Sequence, residues 1–377
     1  MCDLCRANPG TDEFEGSLHH FPGAVFDDTL AHLSFADGHA GEAGDGSTQL
    51  YGDVAVAALD GVIDYGAEPA SYFSAGAGSS DQNINGLLAG RKWADTEVTF
   101  SFPDAVGDYS PTYGVAVDTF TAFSAQQMDA AYYWLDTFAA VSGLSFVELD
   151  GAEGALDEDQ EAQLRFGNSD DAGTAYAYYP SGGEKGGDLW FGNSGDFPDL
   201  GDYDWHTVGH EIGHAVGLSH GHTSQSNFGV MNADRDAMEF SIMTYRSYVG
   251  DPLNGGYSNY SDSYAQTLMM YDIAALQFLY GANFAYNATA TTYTVDAATG
   301  EFFVNGVSQG DPVNRKIFRT VWDGDGTDSY DGFEWIGEVE DYLIYTLLRA
   351  DLTSSDDTED ANPGDTSPHR FATALHS

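Results

Sequence analysis

The stretch Thr207–His222, "TVGHEIGHAVGLSHGH", constrains this chain more than any other, because it holds four histidines and one glutamate within sixteen residues. His210 and His214 are four apart. On a helix that spacing puts two imidazoles on one face, one turn apart, so that both reach a single ion. Glu211 follows the first histidine and points beside such an ion rather than into its ligand shell, where a carboxylate can serve as general base. Gly217 suits a positive φ and a reversal of the chain. The reversal would return His220 to the same ion. Three neutral imidazoles with one open position describe a catalytic zinc site rather than a closed structural one. His222, two residues beyond His220, could compete as third ligand, although the glycine turn favours His220. Glu239 is a further alternative, in a motif lacking the Gly-x-x-His extension. His206 lies one turn before His210 and could also face the site, although the surface of the first turn is the expected place.

The rest of the chain reads as a mixture of strands and helices. Residues 97–102, "EVTFSF", alternate like a strand that stops at Pro103. Ser124 with Gln127 forms a capping-box pattern, and Met128, Ala131, Leu135 and Phe138 mark one helical face that ends near Gly143. "LSFVEL", "AQLRFGN", "TAYAYYP" and "GDLWFGNS" read as further strands, with residues 188–193 as an exposed edge. The histidine stretch is expected to be helical from Asp204, as N-cap, to about Gly217. "TLMMYDIAALQFLYG" predicts another helix ending at Gly281, and "ATTYTVDAATGEFFVNGVSQG" carries strand, turn and strand signals. Residues 1 to about 80 are weakly periodic, and the chain from about Asp351 is polar and reads as disordered.

Charge excludes some partners. Asp and Glu number 60 against 12 Lys and Arg, for a net charge of −48. Phosphate binding needs clustered basic residues, so nucleic acid is not expected as a partner, and an anionic membrane surface would repel the chain. The acidity fits salty surroundings, with calcium loops accounting for a few of the carboxylates. Cys2 and Cys5 provide no disulfide framework and read as two exposed thiols. The first residues lack the basic start and apolar run of a secretory signal peptide. No window approaches ~18 apolar residues, so no membrane-spanning helix is expected.

With these motifs in place, the chain resembles the metzincin metalloproteases, and among them the serralysins. "GRKWADTEVTFSFP", "AQLRFGNSDDAGTAYAYYP", "GHEIGHAVGLSH", "FSIMTY" and "MMYDIAALQFLYGANF" occur in that family's order, from about Asn83 to about Phe284. The resemblance implies an α+β metzincin zinc-protease domain. That domain is a twisted mixed sheet with long helices, an active-site helix and a Met-turn, followed by a short, truncated β-rich calcium-binding segment. It implies that Met243 floors the site without binding zinc. It implies that Tyr245 can bind zinc in the resting enzyme and swings away to stabilise the oxyanion. The strand carrying Leu189, Trp190 and Phe191 would pair, as an edge, with extended substrate. The implied activity is that of a secreted zinc endopeptidase acting on proteins or peptides, with Glu211 as general base. A monomer is expected, exported by a type I-like route without an N-terminal signal. Expected boundaries are a leader or propeptide-like region over 1–82, a catalytic domain over 83–285, the start of a β-roll-like segment over 286–334, and an atypical tail over 335–377.

"TVWDGDGTDSYDG", residues 320–332, matches a calcium-binding nonapeptide repeat at Gly324, Gly326, Asp328 and Tyr330, with Asp323 in place of the first glycine. It also partly fits a helix-loop calcium site through Asp323, Asp325, Thr327, Asp331 and Glu334, but Asp328 stands where that loop needs glycine. The resemblance favours the repeat and implies Asp323, Asp325 (through its carbonyl) and Asp328 as calcium ligands. A solvated acidic turn is the plainer alternative. After Asp331 the repeats stop, through truncation, an altered reading frame near Gly332, or genuine shortening. A rival to the protease reading is a non-catalytic, calcium-dependent extracellular binding protein that retains the protease-like fold.

Overall fold

The computed structural model describes residues 70–72, 77–149, 162–224, 227–296, 298–331, 344–349 and 371–375. Cys2, Cys5, Glu334 and most of the expected leader and tail lie outside the described residues.

In chain order the elements are β1 (Ala70–Tyr72), α1 (Gln82–Asn85), β2 (Arg91–Trp93), β3 (Glu97–Ser101), β4 (Phe120–Thr121), α2 (Ala125–Val141), β5 (Ser145–Glu148), β6 (Leu164–Ser169), β7 (Ala175–Ala177), β8 (Leu189–Phe191), α3 (Tyr203–Ala215) and α4 (Met270–Tyr280). They form a mixed α/β unit. The largest sheet has the order β5-β3-β6-β8-β7, with β4 attached to β6. Its β5, β3, β6 and β8 pair in parallel, and β7 closes the sheet antiparallel to β8. The sheet edge is therefore β7, and the expectation that Leu189, Trp190 and Phe191 lie on an exposed edge is overturned. All three are fully buried between two neighbouring strands. The sequence has a physical reason for this: "LWF" is continuously apolar, as suits a strand covered on both faces, whereas a half-exposed strand alternates.

Helix α2 starts as the capping box dictates. Ser124 Oγ accepts from Gln127 N, and Gln127 Oε1 accepts from Ser124 N. Its buried positions Gln127, Ala130, Ala131, Trp134, Leu135, Phe138 and Val141 recur at helical spacing and face the core. Burial of one such side chain, Phe138, contributes about 1.5–3 kcal/mol. Met128, placed on this face by sequence, packs only at the margin of the core.

Helix α3 is buried along its whole length from Trp205 to Ala215. Its N-cap is Asp202, not Asp204: Asp202 Oδ1 accepts from Trp205 N at 2.7 Å. Asp204 falls instead in the first turn, where a carboxylate favours the positive end of the helix dipole. The close approach of α2 needs Gly209, since a Cβ there would meet the Trp134 indole at 2.5 Å. Trp134 Nε1 donates to Trp205 O at 2.9 Å and ties the two helices together.

Beyond α4 the chain is β-rich: β9 (Thr292–Val295), β10 (Phe302–Val304), β11 (Val307–Ser308), β12 (Val321–Asp323), β13 (Ser329–Asp331), β14 (Ile344–Arg349) and β15 (Phe371–Leu375). The hairpin signals of residues 290–310 become β9, β10 and β11, antiparallel in turn. Tyr293, Val295, Phe302, Ile317 and Val321 form a small core of their own, while Trp322 joins the larger one. Two strands, β14 and β15, fall within the stretch expected to be an atypical tail, and β14 runs parallel to β12. The run "IYTLL" is rich in β-branched and aromatic residues, which favours a strand over disorder. Among the described residues no helix is long and apolar enough to cross a membrane.

Candidate metal centre and active site

Helix α3 delivers His210 and His214 to one side of the site. It ends in a Schellman-type turn: Gly217 has φ 105°, and Leu218 N donates to Gly213 O at 2.8 Å. Glycine is required at 217 on a second count, because a Cβ there would lie 2.3 Å from Arg91 O. The reversed chain is held antiparallel to residues 87–89 by Ala89 N to Gly217 O and Ser219 N to Leu87 O. That path carries His220 back over α3.

The three rings converge. His220 Nε2 lies 3.1 Å from His210 Nε2 and 2.9 Å from His214 Nε2. Among the described residues this is the one group of three or more His, Cys, Asp or Glu side chains with ligand atoms drawn together, all within 4.8 Å of one another. The protonation pattern follows from the outer nitrogens. His210 Nδ1 donates to Ile242 O and His214 Nδ1 donates to Leu218 O, each at 2.8 Å. A carbonyl only accepts, so each Nδ1 carries the proton and each Nε2 presents a bare lone pair. Burial lowers the pKa of His214 to about 4 and holds His210 and His220 well below the ordinary value, with mutual repulsion adding to it. The bare Nε2 atoms of His210 and His214 and the Nε2 of His220 all point into one small space, where a cation could accept all three. The residues therefore fit a metal ion with nitrogen preference.

Glu211 is buried on α3 beside His210. It belongs to the side of the site formed by Tyr179, whose ring meets His214 edge-on at 5.4 Å. Burial first, and the Glu211 charge after it, raise the Tyr179 pKa, against the charge of Arg91. On the other side, the Tyr245 hydroxyl lies 2.9 Å from His220 Nε2. Met243 is fully buried under α3, and its Sδ would stand 2.6 Å from any Cβ on Gly213. Its turn is clamped by Asp272. One oxygen of that carboxylate accepts from Ser241 Oγ at 2.6 Å, and the other accepts from Ile242 N at 2.8 Å and Met269 N at 2.9 Å.

The remaining candidates fall outside the converging group. His222 stacks on His220 at 5.3 Å with an 11° interplanar angle and lies 4.7 Å from Tyr245, but its nitrogens do not join the three. Glu239 is half-buried and likewise apart. His206 is not a surface residue: it is buried, its pKa lowered to about 3 by burial, and its Nε2 lies 3.2 Å from the Tyr257 hydroxyl. Tyr257 donates its own proton to Thr244 O, so His206 Nε2–H is the donor to Tyr257. Leu189, Trp190 and Phe191 support the sheet from inside. Of the acidic turn, Asp323 is buried and accepts from Tyr293 Oη at 2.6 Å, Asp325 accepts from Gly326 N, and Asp328 accepts from Thr291 N. Asp272, Gly213, Tyr179 and Tyr257 join the site without having been among the expected residues. Of these only Asp272 had a visible signal, an acidic residue in the first turn of a helix.

No family model matches the sequence. Curated relatives do. Serralysin C of Dickeya chrysanthemi is 33% identical over 222 residues, 56% of this chain and 44% of its own length. Metalloprotease AprA of Pseudomonas entomophila is 30% identical over 276 residues, 67% of this chain and 53% of its own. Serralysin of Proteus mirabilis is 29% identical over 266 residues, 66% and 51%. The similarity to serralysin-type metalloproteases is thus direct and repeated, and the chain spans about half the length of the curated relatives it matches.

Proposed function

We propose that this chain is a zinc-dependent endopeptidase of metzincin type that hydrolyses peptide bonds in proteins. The observation that carries the reading is the meeting of three Nε2 atoms, from His210, His214 and His220, beside a buried glutamate. The similarity to serralysins supports it. These three histidines would hold the ion, and Met243 would fill the space below them. A zinc ion bound there supplies Lewis acidity: it lowers the pKa of a water to about 7 and polarises a carbonyl.

The chain's own groups do the rest. Glu211 takes the proton of the attacking water and passes it to the leaving amine. The Tyr245 hydroxyl stands at the rim, where it donates to the oxyanion formed at the scissile carbonyl. An extended peptide would add to the sheet at β7 and run past Tyr179 towards Glu211. The same reading carries the expectations of an extracellular location, of monomeric action, and of calcium at Asp323, Asp328 and the Asp325 carbonyl.

Casein hydrolysis tests the proposal. Activity should vanish with a zinc chelator and return with added zinc. A protein that holds one zinc per chain yet cleaves neither casein nor gelatin would support the non-catalytic binding protein instead.

A further inference from the structure

Among the described residues two arginines are buried, and they differ in one respect. Arg165 is saturated. Its Nε and Nη2 bind both oxygens of Asp188, and Nη1 and Nη2 also donate to Asp108 O and Glu184 O. Arg319 is 4% exposed, yet its hydrogen bonding among the described residues is a single donation from Nη2 to Tyr133 Oη at 2.7 Å. The guanidinium also lies 4.3 Å from the centre of the Phe302 ring. It joins none of the four ion pairs among the described residues.

A guanidinium carries five N–H donors, and a buried charge without a counter-charge is strongly unfavourable. Arg319 faces a cavity of ≈ 70 Å³ where α2 meets the β-rich segment, with Tyr133, Thr137, Tyr286 and Asn287 also on its wall. A water needs roughly 10–15 Å³ of such space, so the cavity has room for a halide-sized ion with a water or two. The rest of the wall mixes hydroxyl, amide and aromatic groups with aliphatic side chains such as Val141, Leu268 and Ile273, and it carries no carboxylate, which suits a weakly hydrated monovalent anion.

We infer that this cavity is a binding site for a small monovalent anion of the halide class, held by the Arg319 guanidinium. The ion neutralises the one buried arginine that, among the described residues, joins no carboxylate, at the place where α2 meets β10 and β12. The chain's net charge of −48 repels anions at low salt, so occupancy needs salt high enough to screen that field. The inference is independent of the peptidase reading.

Sodium bromide is the probe. Crystals of the full chain grown in it should show an anomalous difference peak within hydrogen-bonding reach of the Arg319 guanidinium. Water alone, or a carboxylate of this chain in that position, overturns the inference. In solution, the protein should melt about 2–4 °C higher in bromide than in sodium gluconate of equal ionic strength, because gluconate is too large to enter. Arg319→Met should abolish that difference. An equal difference in the variant would mean a general salt effect and count against the site. If the variant does not fold, the bromide map on the native protein decides alone.

Discussion

The Tyr245 hydroxyl stands 2.9 Å from His220 Nε2, the same nitrogen that lies about equally close to the other two histidines. A phenol in that position can approach a bound ion or turn to a substrate oxygen without moving the backbone. Loss of the hydroxyl should therefore remove a hydrogen bond made mainly in the transition state. Tyr245→Phe is expected to lower kcat by ~10²-fold with little change in KM, and to leave zinc stoichiometry intact. Steady-state kinetics with metal analysis check this. A rise in KM at unchanged kcat would assign Tyr245 to ground-state binding.

His222 stacks on His220 yet holds its nitrogens apart from the converging three. His222→Ala should keep one zinc per chain, with kcat/KM reduced by less than about 10-fold. Loss of zinc from this variant would transfer the third-ligand role from His220 to His222.

Much of this arrangement was legible in the sequence, because helical spacing is local. The four-residue step from His210 to His214 and the glycine at 217 set directions that the helix and its end turn realise. The capping box at Ser124 and the stop at Gly281 were legible for the same reason. What failed depended on distant partners. Which strand forms the sheet edge is decided by pairing order, and β7 docking beside β8 enclosed Leu189–Phe191. The burial of His206 has no local signal, because only the fold brings Tyr257 and Tyr264 over it. Gly209 and Gly213 look like poor helix residues until Trp134 and Met243 are seen against them.

Asp272 links α4 to the turn that carries Met243, and it is fully buried. Burial, opposed by its three hydrogen bonds, pushes its pKa up to about 7. An unfolded aspartate titrates near pH ~3.9, so across roughly pH 4 to 7 the folded chain keeps a proton that the unfolded chain releases. The stability this gives is complete below pH ~4 and is lost as pH rises to about 7. Asparagine does not titrate. The stability difference between the native protein and Asp272→Asn should therefore shift against the native protein across that window, then level off. Urea denaturation of both metal-free proteins over pH 4 to 8 measures it; a pH-independent difference would contradict the raised pKa.

The ion pair of Arg165 and Asp188 lies behind the strand that supports β7, with side chains 1% exposed on both sides. Tyr113 Oη donates to the same carboxylate at 2.6 Å. Arg165→Met leaves that charge buried and unpaired, and should cost about 3–5 kcal/mol in chemical denaturation. Adding Asp188→Leu should recover part of the loss. Additive losses in the double variant would show that the two residues act separately.

The most direct test of the proposed chemistry is Glu211→Gln, with zinc content and peptide hydrolysis measured on one preparation. The substitution keeps the shape of a side chain that is not among the three proposed ligands, and it removes the base. One zinc per chain, native melting behaviour and a fall in kcat of at least ~10³-fold are expected. Zinc retained with undiminished hydrolysis would contradict it.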